Sequence, residues 1–71
     1  MATERQIKQT IKNYPLNALE ITEIVYTDRD KSLIPAATRN VFAHLIDLSE
    51  RGLVDFLGEI SEKSKVSPHI K

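Results

Sequence analysis

The sequence contains no cysteine and no tryptophan, and it has only two glycines among 71 residues. Without cysteine, neither a disulfide framework nor a thiolate metal site can form, which is consistent with a reducing compartment. At this length, folding buries only about 60% of the surface that the unfolded chain exposes. The chain must therefore be stabilised by a small apolar core without covalent crosslinks.

Long apolar runs and a net charge are also missing. No window approaches the roughly 20 apolar residues of a membrane span, and the first residues, MATERQIKQT, lack the apolar core of a signal peptide. We therefore expect a cytoplasmic protein without membrane contact. Ten basic residues balance ten acidic ones, so any nucleic-acid contact must come from local patches. Both chain ends are net basic, and residues 16–30 are net acidic.

Two capping signals predict the first two helices. Thr3 and Gln6 have the spacing of a capping box, followed by an apolar stripe until Pro15, which predicts a helix over about residues 4–14. Asn17 and Glu20 repeat the signal and predict a helix over about residues 17–26. The expected buried stripes consist of Ile7, Ile11 and Tyr14 in the first helix and Ala18, Ile21, Ile24 and Val25 in the second. Residues 27–32 have the composition of a loop.

A longer third helix is predicted over about residues 35–51. Pro35 suits its first turn, and Gly52 suits its C-cap because glycine enters the left-handed conformation without a Cβ clash. The expected inward line is Ala37, Val41, Leu45 and Leu48, widened by Phe42 and Ile46.

A two-stranded wing is predicted over about residues 53–70. It combines a strand at 53–57, a polar tip at 58–64 and a returning edge strand at 66–70, where Pro68 is tolerable if its position faces water. The fold class is therefore mainly α with a small β-hairpin (α+β), a winged helix-turn-helix of three helices plus a two-stranded wing in one domain over residues 1–71.

Several of these residues resemble a known family. Arg5-Gln6-Ile7, Ile24-Val25-Tyr26 and the run A-x-x-N-V-x-A-H-L-x-x-L-x-x-x-G from Ala37 to Gly52 are similar to the small C-terminal winged-helix domain of metallo-β-lactamase-fold hydrolases. The resemblance spans about residues 5–56. It implies a non-catalytic accessory domain that packs on a hydrolase, either excised from a longer chain or free-standing; the initial Met and early capping box favour a complete small protein.

Catalytic and metal-binding patterns are not found. The His-x-His-x-Asp-His motif of those hydrolases is missing, and the two histidines, His44 and His69, fall short of a zinc ligand set. His44 is best explained as a boundary histidine that bonds a backbone carbonyl. We expect no enzyme activity, no metal and no cofactor.

The favoured function from sequence is that of a DNA-binding, transcription-regulating module with the third helix as reader. Thr38, Arg39 and Asn40 would meet base edges of double-stranded DNA, and Lys63 and Lys65 would contact its backbone. The zero net charge, with acidic residues later on the same helix, argues for weak binding. The alternative is the accessory or protein-interaction domain that the resemblance implies.

A further basic group lies on the first helix. Arg5, Lys8 and Lys12 share one sector and could bind phosphate or an acidic partner, although an ordinary solvated face is the simpler explanation. A homodimer through the first helix and the wing is a second hypothesis, motivated by the small core. It would bury Ile7, Ile11 or Leu57.

Overall fold

A computed structural model of the chain describes residues 3–27 and 30–69. In chain order the elements are α1 (Glu4–Thr10), α2 (Ala18–Val25), a 3₁₀ turn (Lys31–Leu33), α3 (Ile34–Glu50), β1 (Val54–Phe56) and β2 (Val66–Pro68). Three helices and a two-stranded antiparallel sheet form an α+β winged helix, as the sequence predicts.

Both predicted capping boxes are present. The Gln6 N–H donates to Thr3 Oγ1 at 3.3 Å, and the Thr3 N–H donates back to Gln6 Oε1 at 3.0 Å. At α2 the Glu20 N–H donates to Asn17 Oδ1 at 2.8 Å, and the Asn17 N–H donates to Glu20 Oε1 at 3.0 Å. Each box satisfies two backbone donors that a helix start otherwise leaves unpaired.

The first helix ends earlier than predicted. α1 stops at Thr10 with Ile11 as C-cap, and Tyr14 is 62% exposed rather than part of the buried stripe. Pro15 accounts for Tyr14 alone, because proline disfavours the helical conformation in the residue before it. The chain must also become extended to reach Leu16, which forms a β-bridge with Val66.

The third helix is preceded by a tight turn inside the predicted loop. The Ser32 N–H donates to Asp30 Oδ1 at 2.9 Å, and this backbone hydrogen bond, with a further one from the Ser32 side chain, holds the pKa of Asp30 below its ordinary value. Pro35 lies in the first turn of α3, as predicted. Residues 28 and 29 of the predicted loop lie outside the described residues.

A left-handed turn at Gly52 connects α3 to β1. Gly52 has a φ of 75°, its N–H donates to the Ser49 carbonyl at 3.0 Å, and the Leu53 N–H donates to the Leu48 carbonyl at 2.9 Å. These two bonds define a Schellman motif, in which the last carbonyls of a helix are satisfied while the chain reverses. The predicted C-cap role of Gly52 is confirmed.

The second strand of the hairpin, β2, forms backbone hydrogen bonds along both of its edges. β1 pairs with β2 in the register Val54↔Pro68, Asp55↔Ser67 and Phe56↔Val66. On the other side, Val66 exchanges two backbone hydrogen bonds with Leu16, at 2.9 and 3.3 Å. β2 is therefore not an edge strand at Val66, and Pro68 fits because it lies beyond this bridge. The predicted end of the strand at Ile70 lies outside the described residues.

The core lies between the three helices and the inner face of the hairpin. Its buried apolar residues are Ile7, Ile11, Leu16, Ala18, Ile21, Val41, Leu45, Leu48, Val54 and Val66. Phe42 of α3 and Phe56 of β1 meet edge to face, with ring centroids 6.1 Å apart. This contact fastens the wing to the third helix.

Two further expected core positions differ. Ile24 is 50% exposed, and Ala37 is only half-buried. Thr22 takes the inward place on α2 instead, fully buried, with its hydroxyl donating to the Ala18 carbonyl at 2.7 Å. A helix satisfies a buried threonine hydroxyl in this way, so the polar side chain does not break the stripe.

Replacing Gly52 tests the turn. A Cβ at Gly52 would meet no atom within 4 Å, so Gly52→Ala costs only the strained backbone conformation. We expect Gly52→Ala to lower the free energy of unfolding by about 1 kcal/mol. Urea denaturation measures this as a lower midpoint with an unchanged slope.

The matched control is Gly52→Asn, because asparagine tolerates the left-handed region better than alanine. It should lose less stability than Gly52→Ala. Equal midpoints for glycine and alanine would contradict a requirement for positive φ at this position.

Candidate functional site

Two of the three predicted reader residues, Thr38 and Arg39, line a groove between the start of α3, the start of α2 and the wing. We call it the α3–wing groove, with a volume of about 360 Å³. It is lined by Asn17, Leu19, Ile34, Pro35, Thr38, Arg39, Glu62 and Lys63. Leu19, Ile34 and Pro35 supply apolar surface, and the charged residues carry both signs.

Thr38 is a packing residue in this groove. It is only 8% exposed, and its hydroxyl donates to the Ile34 carbonyl of its own helix at 2.7 Å. The sequence analysis predicted Thr38 as a reader because it lies in the N-terminal half of the third helix. One residue along a helix is a rotation of about 100°, however, and Thr38 faces the core while Arg39 is exposed. It is not positioned to meet a base edge.

Arg39 and Lys63 are brought together by the fold. Both are exposed and both line the α3–wing groove, although one lies on α3 and the other on the wing. Neither forms an ion pair within residues 3–27 and 30–69. Two of the five predicted contact residues therefore share one accessible surface, together with the acidic Glu62.

The other two predicted residues are placed differently. Asn40 is half-buried and does not line the groove, and its Oδ1 is buried without a hydrogen-bond partner in the described part of the chain. Lys65 does not line the groove either, and its Nζ lies 3.7 Å from Glu20 Oε1. Lys65 thus has a partner within the chain, and the same carboxylate oxygen accepts the Asn17 N–H of the capping box.

A second and larger groove runs between α1 and the base of the hairpin. We call it the α1–hairpin groove; its volume is about 500 Å³. It is lined by Glu4, Arg5, Lys8, Gln9, Ile11, Lys12, Leu53, Val54 and Pro68. Sequence reasoning recognised the three basic residues but not the groove, because its apolar wall comes from residues more than forty positions further along the chain.

The acidic lining residue of this second groove, Glu4, is held in an ion pair. Arg51, just after α3, pairs with Glu4 at the start of α1 and lies 3.6 Å from Asp47 through its Nε. Glu4 is thereby neutralised, while Arg5, Lys8 and Lys12 form no ion pair in the part of the chain that the structure describes. The free charge of the groove is positive.

Residues 18–63 match the family described as "Beta-lactamase associated winged helix domain". The chain belongs to this family. No curated protein and no solved structure matches it. The family match confirms the predicted resemblance to the winged helix of metallo-β-lactamase-fold hydrolases, and it covers α2, α3, β1 and the wing tip.

A winged-helix domain of this family is not catalytic by itself. Across residues 3–27 and 30–69, no three or more His, Cys, Asp or Glu residues are grouped so as to hold a metal ion. His69 Nδ1 lies 2.8 Å from Asp55 Oδ2 across the hairpin. His44 is half-buried, and with the residues that the structure describes it does not form the backbone hydrogen bond that the sequence suggested. No helix of the described chain is both long and apolar enough to cross a membrane.

A double-mutant cycle tests whether Lys65 of this winged helix, unlike Lys63, interacts with Glu20. For Lys65→Gln with Glu20→Gln we expect a coupling free energy of about 0.2–1 kcal/mol that vanishes at high salt, because the pair is solvent-exposed. The cycle removes the separate cost of weakening the α2 cap.

Lys63→Gln with Glu20→Gln is the control cycle, and its coupling should be close to zero. Urea denaturation of the single and double variants gives both values. An equal coupling in the two cycles would show that Lys65 is as free as Lys63.

Proposed function

We propose that this winged helix is a non-catalytic protein-interaction domain that docks through its α3–wing groove on the catalytic domain of a metallo-β-lactamase-fold hydrolase. The observation that carries the proposal is the lining of the groove. Leu19, Ile34 and Pro35 line it with apolar surface, and Arg39, Lys63 and Glu62 line it with charges of both signs. Protein interfaces combine an apolar centre with a polar rim of both signs.

The family supplies the partner's class. Its description associates the domain with β-lactamases, and the matched residues include all lining residues of the groove except Asn17. The chain's own residues would bind and orient the partner. The apolar surface around Leu19 would be buried against it, and Arg39 and Lys63 would pair with carboxylates on the partner's surface. Chemistry would belong to the hydrolase, and the chain alone would have no enzyme activity.

A direct binding measurement tests this function. Isothermal titration of the chain with purified metallo-β-lactamase-fold catalytic domains from the same genome should detect a complex with at least one of them. Leu19→Ser should weaken that complex about tenfold or more, because a largely buried leucine contributes roughly 1.5–3 kcal/mol.

The matched control is Ile24→Ser on the same helix. Leu19 and Ile24 are similarly exposed, at 45% and 50%, but Ile24 lies outside the α3–wing groove. Ile24→Ser should leave the affinity unchanged. The proposal is rejected if none of the catalytic domains binds, or if the two variants weaken binding equally.

Duplex DNA binding is the second candidate function. It is favoured because Arg39 and Lys63 line the same groove and form no ion pair among the described residues. Only these two of the five predicted contact residues support it, so binding would be weak, and its salt dependence would be shallow because few phosphates are contacted. Fluorescence anisotropy with a mixed-sequence duplex at low salt should show a loss of affinity in Arg39→Ala and Lys63→Ala. Lys65→Ala is the control and should bind as the parent does. Absence of binding at low salt removes this candidate.

A further inference from the structure

The α1–hairpin groove has free positive charge beside an apolar wall. Arg5, Lys8 and Lys12 stand on its helical side, and Leu53, Val54 and Pro68 stand opposite. A ligand that fits it must bring an apolar group together with a carboxylate. Duplex DNA presents phosphates without apolar side chains, so the apolar wall would remain unused.

The tip of the wing has this complementary chemistry. Ile60 is 62% exposed, so it presents a large apolar side chain to a partner. It follows Glu59, which is exposed and forms no ion pair in the described part of the chain.

The tip is also held in shape. The Leu57 N–H donates to the Lys65 carbonyl at 2.8 Å, and the Ser64 N–H donates to the Ser61 carbonyl at 3.2 Å. A loop that is already ordered loses little conformational entropy when it docks.

We propose that the wing tip of one copy inserts into the α1–hairpin groove of a second copy of this chain. Ile60 packs against Leu53 and Pro68, and the Glu59 carboxylate accepts hydrogen bonds from the α1 cations. Because the groove lies at the open end of the hairpin and the tip at its closed end, a two-fold axis that sets two hairpins antiparallel brings each tip to the other copy's groove. The interface is isologous and contains two equivalent contacts.

This dimer differs from one built on core residues. Ile7 and Ile11 are 0% and 1% exposed and already belong to the core of one copy, so the first helix contributes its cations rather than its apolar stripe. The inference does not depend on the hydrolase partner, since it uses a different groove and needs no second protein. The two grooves can be tested separately.

A charge exchange provides the test. Sedimentation equilibrium of the chain should show a concentration-dependent dimer that weakens as salt rises. Lys8→Glu with Lys12→Glu makes the groove acidic, and Glu59→Lys makes the tip basic. In either variant alone, like charges face each other, and we expect the dimer dissociation constant to rise about tenfold or more.

Mixing the two charge variants should restore dimerisation. In the mixed dimer each basic tip meets an acidic groove, and each acidic tip meets a basic groove, so both contacts are repaired. Glu23→Lys is the matched control for the tip variant: it makes the same exposed charge change on α2, away from both contacts, and should dimerise as the parent does. Circular dichroism melting checks that every variant folds.

The apolar contact has its own pair of variants. Ile60→Ser should weaken the dimer about tenfold, whereas Leu57→Ser, a change at a comparably exposed leucine of the same loop, should not. A parent chain that stays monomeric at its highest soluble concentration would overturn the proposal. So would charge variants that dimerise like the parent, or a mixture that fails to dimerise better than its components.

Discussion

The left-handed turn at Gly52 is the constraint on which the rest of the structure depends. It ends α3 and sends the chain back under the helix, so that β1 starts within two residues of the turn. The reversal lets Phe56 reach Phe42 and places Leu53 and Val54 opposite α1. Both grooves depend on this reversal of the chain. The base of the hairpin bounds the α1–hairpin groove, and its tip bounds the α3–wing groove. A chain that continued straight on from α3 would have neither.

The small core explains why so much apolar surface remains outside. Among residues 3–27 and 30–69, ten apolar side chains are buried, and they include residues of α1, α2, α3 and both strands. With Ile7 and Ile11 committed to this core, side chains such as Leu19 and Ile60 are left at 45% and 62% exposure. Leu19 shares a groove with Arg39 and Lys63, and Ile60 follows Glu59, so each of these apolar side chains is accompanied by a charge that forms no ion pair among the described residues.

Local features of the fold could be predicted from the sequence, and long-range ones could not. The two capping boxes and the glycine C-cap depend on residues three to five positions apart, and all three are present. The bridge between Leu16 and Val66 leaves no local pattern, because a single bridged residue has no periodicity. The same limit applies to the candidate sites. Arg39 and Lys63 could be named from sequence, but the internal partner of Lys65 and the apolar wall opposite Lys8 required the fold.

The bridge between Leu16 and Val66 also determines how the domain comes together. It joins a residue before α2 to a residue near the end of the described chain, so nearly all of that chain must be present before the sheet is complete. Contacts between residues so far apart in sequence form slowly, since the entropy of closing the intervening loop is lost before the contact stabilises it. During synthesis, the helices can therefore pack while the hairpin is still unfinished. Until β2 arrives, the backbone of Leu16 and the inner edge of β1 lack their strand partners.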